Sequence, residues 1–262
     1  MYKILGFAVL LCCLLLPACK QTESTQNIKE DNTAKKTDLS KAASYNVQLG
    51  LGYLKQNDRP RAKKKLLLAM EQAPHSPEIN ASFAYFFEKT GEFDQAKKYY
   101  LKAISLSGNS GSQLNNYGAF LCRRGDYKTA EVYFLKAVKD VNYLNTSAAY
   151  ENAGLCSLEI PDFEKAKTYF SSALDQDPTR RESLLELVKL EGKAGNDAQA
   201  LKILDKYPEI VLNDRDLLDK AKELAIKLGE QNLVAKYETS FRSLESNIVT
   251  SGANNEYNNH TG

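Results

Sequence analysis

Small and large apolar residues recur along this chain at a fixed interval. Ala62, Ala96, Ala130, Ala166 and Ala200 stand 34, 34, 36 and 34 residues apart. Four residues after each comes a large apolar side chain: Leu66, Tyr100, Phe134, Phe170 and Leu204. Three further on are Ala69, Ala103, Ala137 and Ala173, with Tyr207 breaking the series. Twelve residues before each alanine stands Gly50, Ala84, Gly118 or Gly154, with Val188 as the exception. A turn former sits five residues before each: Asn57, Gly91, Gly125, Pro161 and Gly195. Apolar positions at this spacing put one face of a helix against a neighbour. The turn former divides every unit into two antiparallel helices whose small residues let them approach closely. One such unit cannot bury its apolar face alone, so the units must stack.

The units predicted are 43–76, 77–110, 111–144, 147–180 and 181–214, with Asn145 and Thr146 inserted between the third and fourth. A degenerate sixth unit spans 215–248, because Gly229 lies 34 residues after Gly195 while the other signature positions fade. An atypical last unit is what a cap requires. Leu49-Gly50-x-x-Tyr53, Ala62-x-x-x-Leu66 and Pro74 resemble the tetratricopeptide repeat. That resemblance implies an all-α, right-handed superhelix of about six helix pairs, with the first helix of each unit lining a concave groove.

Groove positions on those first helices are Val47, Leu51 and Leu54 in the first unit and Ala81, Tyr85 and Glu88 in the second. They are Asn115, Ala119 and Cys122 in the third and Glu151, Leu155 and Leu158 in the fourth. Two readings of the apolar ones stand: they meet a protein partner, or a neighbouring helix or the N-terminal segment covers them. The Lys and Asn pairing with which some repeat domains hold a terminal carboxylate is absent, so a partner held by apolar and amide contacts is expected.

Ahead of the repeats, Ile4 to Leu16 is a 13-residue apolar run after Lys3. A helix of that length spans about 20 Å, short of the roughly 30 Å hydrocarbon core. Residues 1–18 therefore read as a signal peptide. Leu16-Pro17-Ala18-Cys19 resembles a bacterial lipobox, which implies cleavage before Cys19 and its acylation. A multiply acylated cysteine anchors stably, since each buried methylene contributes about 0.8 kcal/mol. Lys20, in place of the Asp that retains enteric lipoproteins at the inner membrane, points by resemblance to the outer membrane. Residues 19–42 carry little apolar surface and read as the lipidated Cys19 and a flexible tether. Residues 249–262 read as a disordered polar tail.

Charge and chemistry narrow the function. The 262 residues carry 35 Lys and Arg against 33 Asp and Glu, a net of +2, which gives no general footprint for nucleic acid. The basic cluster Arg59 to Lys65 reads as a solvated helix face. The two histidines, His75 between units and His260 in the tail, lack a scaffold for a triad. No metal-ligand spacing and no phosphate-cradling glycine loop occurs. Neither an enzyme, a cofactor nor a small-molecule substrate is expected. Within the repeats only Cys122 and Cys156 remain, and they read as two small, partly buried apolar residues, with a disulfide as the alternative.

Three stretches carry a closer resemblance. Tyr45 to Leu54 (YNVQLGLGYL), Leu114 to Leu121 (LNNYGAFL) and Tyr150 to Leu158 (YENAGLCSL) resemble motifs of the PilF/PilW family of type IV pilus biogenesis lipoproteins. Cys156 departs from that pattern, where a plain aliphatic is expected, and the last two units match weakly. The resemblance implies a pilotin: an outer-membrane lipoprotein, anchored in lipid through acylated Cys19, that binds secretin subunits and promotes their localisation and multimerisation. It implies secretin contact around Leu51 and Leu54 and backbone contacts from Asn115 and Asn116, while Asn116 also fits a structural role toward the preceding repeat. The alternative is a repeat lipoprotein that scaffolds cell-wall hydrolases or outer-membrane protein assembly.

Overall fold

The computed structural model describes residues 24–257, with side chains from 40 to 245. The expected signal peptide, Cys19 and His260 lie outside the described residues. Thirteen helices and no strand are present among the described residues. They follow one another as pairs: α1 (Ser24–Lys55) with α2 (Arg59–Gln72), α3 (Pro77–Thr90) with α4 (Phe93–Leu106), and α5 (Gly111–Arg123) with α6 (Tyr127–Ala137). Then come α7 (Thr146–Leu158) with α8 (Phe163–Gln176) and α9 (Arg181–Lys193) with α10 (Asp197–Lys206). A one-turn α11 (Pro208–Val211) leads to the last pair, α12 (Arg215–Leu228) and α13 (Gln231–Tyr257). This is an all-α tetratricopeptide-repeat superhelix.

Local chemistry places the helix ends. Where the chain turns inside a unit, Asn57, Gly91, Gly125, Gly195 and Gly229 take positive φ, the left-handed conformation that ends a helix. The residue after the turn, which follows Pro161 in the fourth unit, is the cap of the second helix. Asp58, Asp126 and Asp162 there accept bonds from the backbone N–H groups of Arg61, Thr129 and Lys165, satisfying donors that a helix start leaves free. Between the two helices the small positions act as predicted. A Cβ added at Gly118 would meet the Phe134 ring at 2.8 Å, and one at Gly154 would meet the Phe170 ring at 2.7 Å.

All five register alanines, and the five large residues after them, are buried. The first helix of each unit packs on its own partner, on the second helix of the unit before, and on the neighbouring first helix from α1 to α9. The first helices thus form one continuous layer. The buried side chains divide into two large cores. One runs through the first units to Tyr169, and the other runs from Ala166 to Tyr237, so the seam falls inside α8. A small third cluster of Ala43, Ala69 and Ile79 closes the N-terminal end.

Two expectations need correction. α1 begins at Ser24, so residues expected as a flexible tether are helical; the stretch holds Gln, Lys, Glu and Ala and no Gly or Pro to stop a helix running back from the first repeat. Likewise α13 continues to Tyr257, into the segment read as a disordered tail. No helix among the described residues is long and apolar enough to cross a membrane.

Candidate protein-binding groove

The layer of first helices carries two adjoining cavities, of about 370 and 380 Å³. Leu51 of α1, Tyr85 of α3 and Asn116 and Ala119 of α5 line the first. Ala119 and Leu155 of α7 line the second. Ala119 and Arg123 lie in both, so the two join into one trough across four consecutive first helices. Apolar Leu51, Tyr85 and Leu155 stand along it, with Asn116 and Asn152 between them. Asn116 donates to Gln113 of its own helix at 3.4 Å. Such a surface offers apolar contact and amide hydrogen bonds, the means by which a groove holds a peptide segment.

Of the remaining predicted groove residues, Ala81 and Cys122 also line the cavities, and the others serve the stack. Val47 and Leu54 are half-buried against the N-terminal core, and Leu158 against the C-terminal one. Asn115 is buried, and its Oδ1 accepts a 3.0 Å bond from Asn152, tying α5 to α7. Glu151 pairs with Arg180 at 3.3 Å and accepts from Ser183 Oγ at 2.8 Å, tying α7 to α9. Each position has the periodicity of a groove residue, but the next unit supplies a partner that covers it. Glu88 is turned inward for the same reason. Its carboxylate accepts from Arg123 Nη2 at 2.9 Å and from the Tyr100 hydroxyl at 3.0 Å. Burial, reinforced by that carboxylate, pushes the Tyr100 phenol far above its ordinary value.

Arg123 is the groove residue that periodicity did not select. It stands one place beyond Cys122, where the groove register ends, and only the inward turn of Glu88 on the preceding unit draws it across the trough. Its charge is balanced by Glu88, and among the described residues no other cation lines the trough to seize a carboxylate.

The two cysteines are bonded, which corrects their reading as independent small residues. Cys122 and Cys156 lie with sulfurs 2.20 Å and Cα atoms 5.8 Å apart, joining the last turns of α5 and α7. Cys122 lines the second cavity and Cys156 is buried beneath it. A count of two cysteines gave no framework; the packing of α5 on α7 is what brings them together. Among the described residues no group of three His, Cys, Asp or Glu side chains is placed to hold a metal ion.

Tetratricopeptide-repeat family profiles match residues 77–110 and 162–225. With the helix pairs they define the class: the chain carries tetratricopeptide repeats stacked as a tetratricopeptide-repeat superhelix. Within that class it is similar to PilF of Pseudomonas aeruginosa, at 29% identity over 79% of this chain and 93% of that one, with a TM-score of 0.60. It is also similar to PilW, a widely conserved type IV pilus biogenesis factor, at 25% identity over 79% of this chain and 98% of that one, with a TM-score of 0.57. The Cut9 and Hcn1 complex shares the fold alone, at 17% identity, a TM-score of 0.52, and 85% of this chain against 44% of that one. No curated protein matches the chain.

Proposed function

We propose that this protein is a pilotin: an outer-membrane lipoprotein, acylated at Cys19, that binds subunits of a type IV pilus secretin and promotes their outer-membrane localisation and multimerisation. The observation that carries the reading is the apolar and amide-lined trough from Leu51 to Leu155, on a chain similar to PilF over most of its length. The division of labour is physical. The acyl chains hold the repeats at the membrane, and the trough holds an apolar segment of the subunit until the subunits associate. Neither task needs a reacting side chain, so the protein acts by binding and placement and not by catalysis.

The test is deletion of the gene followed by an assay for heat-resistant secretin multimers on separated membranes. Multimers should vanish or move to the inner membrane, and Cys19→Ala should reproduce the displacement. Normal multimers in the outer membrane would overturn the reading.

A further inference from the structure

We propose that the outward faces of α2 and α4 form a basic, leucine-bearing surface that lies on anionic phospholipid headgroups. On α2, Lys63, Lys64 and Leu67 are exposed, with Leu67 at 41%. On α4, Lys97, Lys98 and Leu101 are exposed at positions 34 residues on, with Leu101 at 40%. The register is the same because Ala62 and Ala96 are buried on the opposite faces of the two helices. α3 packs against both helices and joins them in the stack. The lysine pairs and leucines of two units are thereby repeated on one side of the solenoid. Among the described residues none of the four lysines makes an ion pair. The opposing charges on this face are Glu71, beside Lys63 and Lys64, and Asp94 in the first turn of α4.

The pattern stops after the second unit. The same positions of the third unit are Glu131, Val132 and Leu135, and Glu131 is committed to Lys165 and Tyr169. In the fourth they are Lys167, Thr168 and Ser171, and Lys167 pairs with Glu164 at 2.8 Å. At these register positions, a lysine pair free of ion pairs beside an exposed leucine occurs in the first two units, at the end of the solenoid that follows Cys19. Lysines beside an anionic leaflet gain affinity while leucines enter the headgroup boundary. The choice of a membrane over an acidic protein rests on the proposed anchor at Cys19, which would hold this end near lipid.

The test is lysine acetylation read by mass spectrometry. The full chain, purified from membranes, is placed in vesicles of phosphatidylethanolamine with or without phosphatidylglycerol. At low salt the anionic lipid should slow acetylation of Lys63, Lys64, Lys97 and Lys98 by roughly fivefold each, the affinity that one lysine gains at such a surface. Lys202, exposed on α10, should be unaffected. Unchanged reactivity on a chain that stays bound in high salt would overturn the surface and leave the anchor standing. Slowed reactivity on a chain that high salt releases would uphold the surface and overturn the anchor. A chain that never associates overturns both. Slowing by polyglutamate but not by vesicles would assign the face to an acidic protein and overturn the membrane proposal.

Discussion

The two halves of the solenoid solve one packing problem with different side chains. From α3 to α6 the core is aromatic: Phe83 meets Phe87 at 4.6 Å and Tyr99 at 5.0 Å, and Tyr117 meets Tyr133 edge-on at 4.8 Å. From α9 to α12 it is aliphatic, built on Leu184, Leu187, Leu204, Leu217, Leu218 and Leu224. Rings are broad, and the first cavity of the trough opens beside two of them, Tyr85 and Tyr100. Leucines fill gaps by rotamer choice inside their core, and the cavity of about 670 Å³ in this half lies between α8, α9 and α10, rimmed by charged residues with Leu187, Ile203 and Tyr207 at its base. The N-terminal half also carries the disulfide and the buried Glu88 with Arg123. The groove-bearing half adds a covalent link and a buried ion pair to its core, whereas the capping half joins its units by burial and by surface ion pairs such as Lys236 with Asp205.

The largest effect should come from emptying one register position in each half. Phe134→Ala should cost about 4 kcal/mol and Leu204→Ala about 3 kcal/mol in urea unfolding. Hydrogen exchange tells whether the halves are separate. Phe134→Ala should speed exchange from α3 to α7 and leave α9 to α13 protected. Equal acceleration throughout would make the cores one cooperative unit and end the comparison.

Removing the disulfide comes next. Cys122→Ser with Cys156→Ser opens a loop of 34 residues, and should lower stability by about 4 kcal/mol through the entropy returned to the unfolded chain. The loss should appear in the first half alone, and a reductant should reproduce it. A smaller effect is expected from Arg123→Ala. It leaves the Glu88 carboxylate buried without its counter-ion, but the Arg123 side chain is 46% exposed. Solvent screening then holds the cost to about 1–2 kcal/mol in the same unfolding assay.

The same contrast explains what was legible in the sequence. Register alanines, turn positions and unit boundaries are local and periodic, so Ala62 to Ala200 locate five helix pairs without any structure. Leu51, Tyr85, Ala119 and Leu155 follow from helix register and do line the trough. Glu88, Asn115 and Glu151 share that register, but their partners Arg123, Asn152 and Ser183 lie 35, 37 and 32 residues away in the next unit. Whether such a residue faces the groove or its neighbour is decided between units, where a period read within each unit carries no information. The bond between Cys122 and Cys156 is hidden by the same step. In the last units the leucine-rich core tolerates many sequences, so the signature fades while the fold persists.

Binding should separate the halves more cleanly than stability does. Leu51→Asp places a charge at the apolar end of the trough and should weaken secretin-subunit binding on the order of tenfold. Its melting temperature should stay within a few degrees of the parent, because Leu51 is only half-buried. Ile226→Asp, at an exposed position of α12, should leave binding unchanged in the same titration. A large fall in melting temperature for Leu51→Asp would make that residue part of the core.

The smallest expected difference concerns acid and salt. Asp140, in the loop after α6, accepts from the Gly111 N–H at 2.6 Å and the Asn142 N–H at 3.0 Å, and these backbone bonds hold its carboxyl below the ordinary carboxylate value. Asp214, before α12, is lowered chiefly by the Arg181 guanidinium. A carboxylate lowered by folding stabilises the protein above its unfolded pKa, and that contribution is lost as pH falls through the lower folded value. Both Asp140→Asn and Asp214→Asn should therefore lower the melting temperature at neutral pH, and the deficit should shrink below about pH 4. Salt then distinguishes them. Near 1 M, where the screening length falls to about 3 Å, the deficit of Asp214→Asn should shrink, because Arg181 is a partly exposed ion-pair partner. That of Asp140→Asn should persist, because backbone N–H groups carry no net charge to screen. Equal salt sensitivity in calorimetric melts would show that the two halves use the same electrostatics and would confine their difference to the shape of the core.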